Sequence, residues 1–214
     1  MGGHDDHHHN HHGDCAHEDT GVDPSEMGIM YSLYQKIDID HVVCLNEQEE
    51  ESGKTIFKAW ENRLDKEKYV DSDADAELLI NIPFTGNIKL KGLILIGGEE
   101  GTHPTKIRLF KNRPQMTFDD VGAPPDQEFE LHRDPEGKLE YSTKVVTFSS
   151  VHHLTVHVPG NMGGGDVTRL YYLGLRGEFT PAHRHGVTIC NYELRPNASD
   201  VKEESLHDVT RQVQ

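Results

Sequence analysis

Apolar residues between positions 29 and 196 come in short bursts, many with a period of two and rich in β-branched side chains. The clearest burst covers residues 88–96, where Lys89 and Lys91 alternate with apolar neighbours before Gly97-Gly98 ends the run. A period of two is typical of a strand with one buried face. The predicted strands cover residues 78–82, 88–96, 107–110, 128–131, 139–141, 145–148, 154–158, 170–175 and 187–192.

Turn residues separate these bursts and suggest how they connect. Pro83 and Thr85-Gly86-Asn87 predict a tight connection, so residues 78–82 and 88–96 are expected to pair as a hairpin. Asp134-Pro135-Glu136-Gly137 predicts a second turn. Helix is expected only as short pieces within residues 28–35 and 57–64. The absence of long intervening helices excludes a βαβ architecture and predicts an all-β antiparallel sandwich.

The two ends of the chain differ from this middle region. Residues 1–28 are dominated by His, Asp and Gly, and such a segment cannot bury enough apolar surface to offset the entropy of ordering. Residues 197–214 mix charges with scattered apolar side chains. We therefore expect a disordered tail at 1–28, one β-sandwich domain at 29–196 and a flexible C-terminal tail at 197–214.

The formal net charge of −16 is concentrated at the start of the chain, since residues 1–28 contain seven acidic side chains and no lysine or arginine. No cluster of basic residues is large enough to neutralise nucleic-acid phosphates. No apolar stretch reaches the roughly 18 residues that span a bilayer, and a signal peptide is not recognisable. The sequence thus predicts a soluble cytoplasmic protein that binds neither nucleic acid nor membrane. Its three cysteines, Cys15, Cys44 and Cys190, contain no C-x-x-C pair and are expected to be reduced, with Cys44 and Cys190 buried.

Three segments imitate known ligand motifs without completing them. Gly53-Lys54-Thr55 lacks the glycine that a phosphate loop requires five residues earlier. Asp71-x-Asp73-x-Asp75 resembles half of a calcium loop, but Ala76 replaces the turn glycine, so a solvated acidic approach to a strand is expected. The triple glycine at 163–165 has no following helix and is interpreted as a flexible connection.

Histidines offer the remaining candidate metal ligands. On a strand, His153 and His157 share one face while His152 points to the other, and His183 and His185 form another even-spaced pair. Without a recognised ligand box, we interpret them as scattered polar-face histidines rather than a zinc site. If Met1 is removed, the new amino terminus, two peptide nitrogens and His4 could bind Cu(II) or Ni(II) in a square plane. We assign no catalytic, cofactor-binding or metal residue.

Several distinctive segments follow one another in order over most of residues 28–193. They include Glu77-Leu78-Leu79-Ile80-Asn81-Ile82-Pro83-Phe84, Ile107-Arg108-Leu109-Phe110-Lys111-Asn112, Tyr171-Tyr172-Leu173-Gly174-Leu175-Arg176-Gly177-Glu178 and Val187-Thr188-Ile189-Cys190-Asn191-Tyr192-Glu193. Together these segments resemble the PITH domain, the C-terminal module of a proteasome-interacting thioredoxin. The His-rich start is similar to that of stand-alone members. No thioredoxin redox motif is present, so reductase activity is not carried over.

The resemblance implies a jelly-roll β-sandwich of the galactose-binding-like type. It also implies a non-enzymatic interaction protein, associated with the proteasome or its regulation, without a cofactor and expected to be a monomer. A small-ligand or carbohydrate-binding module is the alternative, because sandwich folds often bind ligands through end loops. Partner contacts are expected at residues 71–75 and 97–104, where charge and Gly/Pro punctuation predict exposed loops.

Overall fold

A computed structural model describes residues 32–181, which form an antiparallel all-β domain. Its strands are β1 Val43–Leu45, β2 Val70–Asp71, β3 Leu78–Gly97, β4 Lys106–Lys111, β5 Gln127–Glu130, β6 Glu140–Ser142, β7 Val151–Val158 and β8 Arg169–Pro181. The helical content of the described region is four short 3-10 segments, Tyr34–Lys36, Ile39–His41, Ser52–Ile56 and Trp60–Asn62. The predicted all-β fold is confirmed, and the helices are as minor as the sequence indicates.

The 20-residue strand β3 organises the sheet, because its two halves pair with different neighbours. The first half pairs with β1 on one side and β7 on the other, with Leu79 opposite both Leu45 and His157. The second half pairs with β6 and β8, with Leu93 opposite both Tyr141 and Leu175. β2 continues the sheet beyond β8, and β4 and β5 continue it beyond β7. Two groups of strands thus share β3 and enclose the core.

The predicted hairpin between residues 78–82 and 88–96 is wrong. Thr85-Gly86-Asn87 continues the extended backbone of β3, where Gly86 pairs with Pro181 and Asn87 with Thr180. A primed two-residue turn would need positive φ, and Gly86 is not among the glycines that adopt it. The register with β7 shifts between Pro83 and Ile88 instead. Pro83, which has no N–H to donate, lies at this shift, and β3 begins to pair with β8 shortly afterwards, at Gly86.

The predicted strand at residues 145–148 is also wrong, because this segment is a turn. Phe148 is fully buried and its carbonyl accepts a hydrogen bond from the Leu90 N–H, whereas Val146 is 90% exposed. The apolar side chains therefore do not share one face, and the pattern of β-branched residues misled the sequence interpretation. The turn predicted at residues 134–137 is confirmed, with Gly137 in a left-handed conformation. Several sequence predictions concern residues outside the described region. These are the strand predicted at 187–192, both predicted tails, and Cys15, Cys190, His4, His183 and His185.

One large core cluster draws residues from both groups of strands, including Ile80, Leu93, Leu109 and Val156. Two smaller clusters cover other faces of the sheet. Leu79, Phe110 and Met116 form one, beneath the segment that joins β4 to β5, and Ile94, Ile96, Tyr171 and Tyr172 form the other, against Trp60. Cys44 is buried, as predicted. No helix among residues 32–181 is long and apolar enough to cross a membrane.

Candidate functional site

Four segments meet at one end of the domain, which we call the loop end: residues 46–55, 66–77, 98–105 and 159–168, of which the second contains the two-residue strand β2. Asn46 fixes the first two segments to each other from a left-handed backbone conformation. Its amide nitrogen donates to Asp75 Oδ1 at 2.9 Å and to the Glu77 carbonyl at 2.6 Å, and its amide oxygen accepts from the Ala74 N–H at 3.0 Å. The loops are therefore held by hydrogen bonds to defined partners.

Backbone hydrogen bonds join the other two segments to the start of β8. The Gly98 N–H donates to the Arg169 carbonyl at 2.8 Å, and the Arg169 N–H donates to the Thr102 carbonyl at 3.0 Å. The Gly163 N–H donates to the Gly101 carbonyl at 2.8 Å. Gly98 is required here, because a Cβ at this position would lie 2.0 Å from Thr102 Oγ1. The triple glycine at 163–165 is thus part of the loop end.

Arg169 lies at the centre of the loop end. Its guanidinium donates to both carboxylate oxygens of Asp71, at 2.7 and 2.6 Å, and this contact raises the pKa of Arg169. The same guanidinium lies 4.1 Å from the centre of the Tyr69 ring. Asp71 is 7% exposed, so the prediction of a solvated acid is wrong at this residue. Bidentate pairing with an arginine is what makes its burial tolerable.

A concavity of about 540 Å³ lies beside this ion pair, and we call it the acidic cleft. It is lined by Gln48, Glu49, Glu50, Glu51, Ser52, Thr55, Glu67, Lys68, Tyr69 and Asp71. Glu51 binds Lys54 at 2.6 Å, and Asp71 binds Arg169. Within residues 32–181, Glu49, Glu50 and Glu67 have no basic partner, which leaves the rim negatively charged.

Tyr69 supplies an aromatic ring to the acidic cleft. It is 38% exposed and packs edge-on against Tyr171, with ring centres 5.9 Å apart. Lys58 supports the segment that carries it, since Lys58 Nζ donates to the carbonyls of Asp65 and Lys68 at 2.6 and 2.7 Å. Burial lowers the pKa of Lys58. The tyrosine is therefore held in one orientation from two sides.

A second concavity, of about 330 Å³, shares no lining residue with the acidic cleft, and we call it the His103 cleft. It is lined by Lys66, Ile96, Gly97, Gly98, Glu99, His103, Arg133, Asp134 and Pro135. His103 is 2% exposed, and its Nδ1 lies 2.8 Å from the Pro104 carbonyl oxygen. Burial lowers the pKa of His103, which keeps its ring neutral. Lys66 and Glu99 form an ion pair at 2.5 Å at this cleft.

The histidines of β7 lie away from the loop-end clefts. His153 and His157 are buried while His152 is exposed, which confirms the predicted alternation. The interpretation as polar-face histidines is wrong for the two buried rings. His157 Nε2 lies 2.5 Å from Glu77 Oε1, and burial lowers the pKa of His157 against the opposing effect of that carboxylate. Among residues 32–181 the structure has no group of three or more His, Cys, Asp or Glu side chains that could hold a metal ion.

The structure also shows what surrounds the other segments that the sequence singled out. Gly53-Lys54-Thr55 lies in the 3-10 segment Ser52–Ile56, and a Cβ on Gly53 would lie 2.3 Å from Cys44 Cβ. Burial raises the pKa of the Cys44 thiol. Of the predicted contact segment 97–104, Glu99 and Glu100 are exposed, whereas His103 and Pro104 are buried. Sequence analysis missed Lys58, Tyr69 and Arg169. The partners of Tyr69 and Arg169 are distant along the chain, and Lys58 acts through backbone carbonyls, for which side-chain spacing contains no signal.

Comparison with known proteins agrees with the resemblance. The PITH domain family model matches residues 23–196. The chain belongs to the PITH domain family. It is 61% identical over 210 residues to a PITH domain-containing protein of Drosophila melanogaster, CG6153, covering 97% of this chain and 99% of that one. It is 52% identical over 189 residues to human PITH domain-containing protein 1, covering 88% of each chain.

Solved structures with a similar arrangement are distant in sequence. A family 32 carbohydrate-binding module of Clostridium perfringens NanJ, in complex with galactose, is 9% identical and covers 68% of this chain and 97% of its own, with a TM-score of 0.48. A second module, CBM32-3 from a family 31 glycoside hydrolase of the same organism, is 12% identical, covers 71% of this chain and 97% of its own, and has a TM-score of 0.47.

Proposed function

We propose that this PITH-domain chain is a non-enzymatic, cytoplasmic interaction protein that binds a basic segment of the proteasome or of a proteasome-associated protein in the acidic cleft. The observation that carries the proposal is the cleft itself, in which Glu49, Glu50 and Glu67 lack basic partners within residues 32–181 and line the same cavity as the exposed Tyr69. The choice of the proteasome as the partner rests on the family resemblance of the sequence.

The cleft chemistry suits a lysine or arginine side chain. Carboxylates on the rim attract a cation over a distance comparable to the Debye length, about 8 Å at physiological salt. Arg169 already lies over the Tyr69 ring, so the exposed part of the ring serves as an apolar surface for the alkyl portion of the lysine or arginine. Because Tyr171, Arg169 and the Lys58 contacts already hold the segment around Tyr69, little side-chain freedom is lost on binding. A basic partner thus meets a charged and preorganised surface.

Affinity capture from a low-salt lysate tests this proposal. The full chain should retain 26S proteasome, detected by native gel and peptidase activity, and Glu49→Gln/Glu50→Gln/Glu67→Gln should retain roughly tenfold less, since three rim contacts of about 0.5 kcal/mol each are removed. The matched control Asp119→Asn/Glu130→Gln/Glu136→Gln removes three exposed carboxylates elsewhere and should retain as much as wild type. Equal capture by both triple variants, or no capture by the wild type, would contradict the proposal.

A further inference from the structure

His103 is placed at the edge of its cleft by the glycines that end β3. A Cβ on Gly97 would lie 2.7 Å from His103 Cδ2 and 2.6 Å from Pro104 Cδ, so only glycine lets the imidazole pack directly on the strand end. The Pro104 carbonyl is an acceptor, so Nδ1, 2.8 Å from it, must carry the proton. The ring is thus fixed in position and in tautomer.

The other ring nitrogen is therefore an acceptor. Nε2 is buried and has no hydrogen-bond partner within residues 32–181. Most buried polar atoms in folded proteins have a partner, and an exception asks for an explanation such as a bound molecule. Because burial keeps the ring neutral, protonation does not remove this acceptor near pH 7. A group that enters the His103 cleft to satisfy Nε2 must donate a hydrogen bond.

Arg133, in the same cleft, requires a ligand group that accepts a hydrogen bond. It is exposed, and within residues 32–181 its guanidinium has no hydrogen-bond or ion-pair partner, so it can donate to a ligand oxygen. Charges at the cleft balance, with Lys66 and Arg133 against Glu99 and Asp134. Asp134 already accepts from the backbone N–H groups of Glu136 and Leu139. Balanced charge gives no general preference for an anion or a cation.

Hydroxyl groups meet both requirements, since each can donate to Nε2 and accept from a guanidinium. The cleft also has an apolar surface for carbon-bound hydrogens, supplied by Ile96, Gly97, Gly98 and Pro135. Its volume of about 330 Å³ falls within the range of small-molecule sites. We propose that the His103 cleft binds a neutral polyhydroxy compound of monosaccharide size, with His103 Nε2 as acceptor and Arg133 as donor. This site is independent of the acidic cleft and of the proteasome proposal.

Long-range proton–nitrogen NMR of the imidazole groups in the full chain tests the site directly. His103→Gln identifies the His103 signals. D-galactose, D-glucose and D-mannose are then titrated separately, and at least one should change the Nε2 shift saturably, with a Kd of about 1 mM or tighter. Arg133→Met, at an exposed position, should weaken that binding at least tenfold without changing the melting temperature.

Two controls test whether binding depends on Arg133 and on a neutral ligand. Lys138→Met, on the same β5–β6 connection but outside the cleft, should bind the sugar as wild type does. D-galacturonate, which carries one carboxylate, should bind no more tightly than D-galactose. The proposal is overturned if no sugar changes the Nε2 shift saturably, if Arg133→Met binds as tightly as wild type, or if only the carboxylate form binds.

Discussion

Arg169 is the residue through which the loop end is joined to the sheet. Its guanidinium forms an ion pair with Asp71 and lies over the ring of Tyr69. Its backbone forms hydrogen bonds with Gly98 and Thr102. The sequence indicates an acidic segment at residues 71–75, but nothing in its spacing distinguishes buried Asp71 from exposed Asp73. That distinction depends on an arginine 98 residues away along the chain, which only the folded structure brings into contact.

Asp71→Asn should destabilise the domain by about 2–3 kcal/mol, because it leaves the Arg169 guanidinium without its carboxylate partner in a partly buried position. Asp73→Asn is the matched control two residues away. Asp73 is exposed, so its replacement should change the free energy of unfolding by less than about 0.5 kcal/mol. Urea denaturation of the two variants measures the difference, and equal midpoints would show that the pair contributes nothing.

Stability should fall as the pH is lowered below about 6.5, because burial lowers the pKa of His103, His153 and His157. Unfolding exposes these rings, which then take up protons that the folded state does not bind. Their contribution is complete above the ordinary histidine pKa and is lost as the pH falls towards the lowered values. Exposed His41, whose pKa Asp38 raises, acts in the opposite direction.

Urea denaturation between about pH 7 and pH 5.5 measures this dependence. His103→Gln should reduce the slope of unfolding free energy against pH, whereas His152→Gln, at an exposed position on β7, should leave it unchanged. A stability that stays constant or rises on acidification would be inconsistent with neutral buried histidines.

Strand β3 shows which elements the sequence could predict. The sequence correctly predicted extended structure in both apolar segments of β3 and the end of the strand at Gly97-Gly98. Both predictions rest on local signals, the alternation of apolar residues and the position of glycine. The connection between the bursts is wrong, because Thr85-Gly86-Asn87 has the composition of a turn but receives its partners from β8. Whether a Gly-containing segment turns or continues is decided by distant strands that compete to pair with it.

A disulfide tests the continuous strand. Lys89 and Glu178 are paired residues of β3 and β8, each about half exposed, so Lys89→Cys with Glu178→Cys should form a disulfide under mild oxidation. Peptide mapping by mass spectrometry distinguishes it from bonds to the native cysteines. Lys89→Cys with Glu128→Cys, on the distant strand β5, should not cross-link. Failure of Lys89→Cys with Glu178→Cys to cross-link would contradict the pairing of β3 with β8.

The segment that carries Tyr69 depends on Lys58. Lys58→Met should remove both backbone contacts of its Nζ, lower the free energy of unfolding by about 1–3 kcal/mol and speed amide hydrogen exchange in residues 59–69. Lys68→Met changes an exposed lysine of the same segment and should leave exchange unchanged. If exchange in Lys58→Met equals that of wild type, the lysine does not hold the segment.

At the scale of the whole molecule, the sequence predicted the all-β class and the family, and both are confirmed. It did not predict either cleft. The acidic cleft combines residues 48–55 with residues 67–71, and the His103 cleft combines the end of β3 with the β5–β6 connection. Such surfaces exist only after loops from separate strands meet, so periodicity and motif spacing contain no direct signal for them.

Hydrogen–deuterium exchange of the full chain with purified 26S proteasome tests most directly whether the acidic cleft is the binding face. Peptides that cover residues 46–55 and 66–71 should exchange more slowly in the presence of proteasome, and Glu49→Gln/Glu50→Gln/Glu67→Gln should abolish that protection. Protection confined to other surfaces, or protection of these peptides that the triple variant retains, would contradict the proposal.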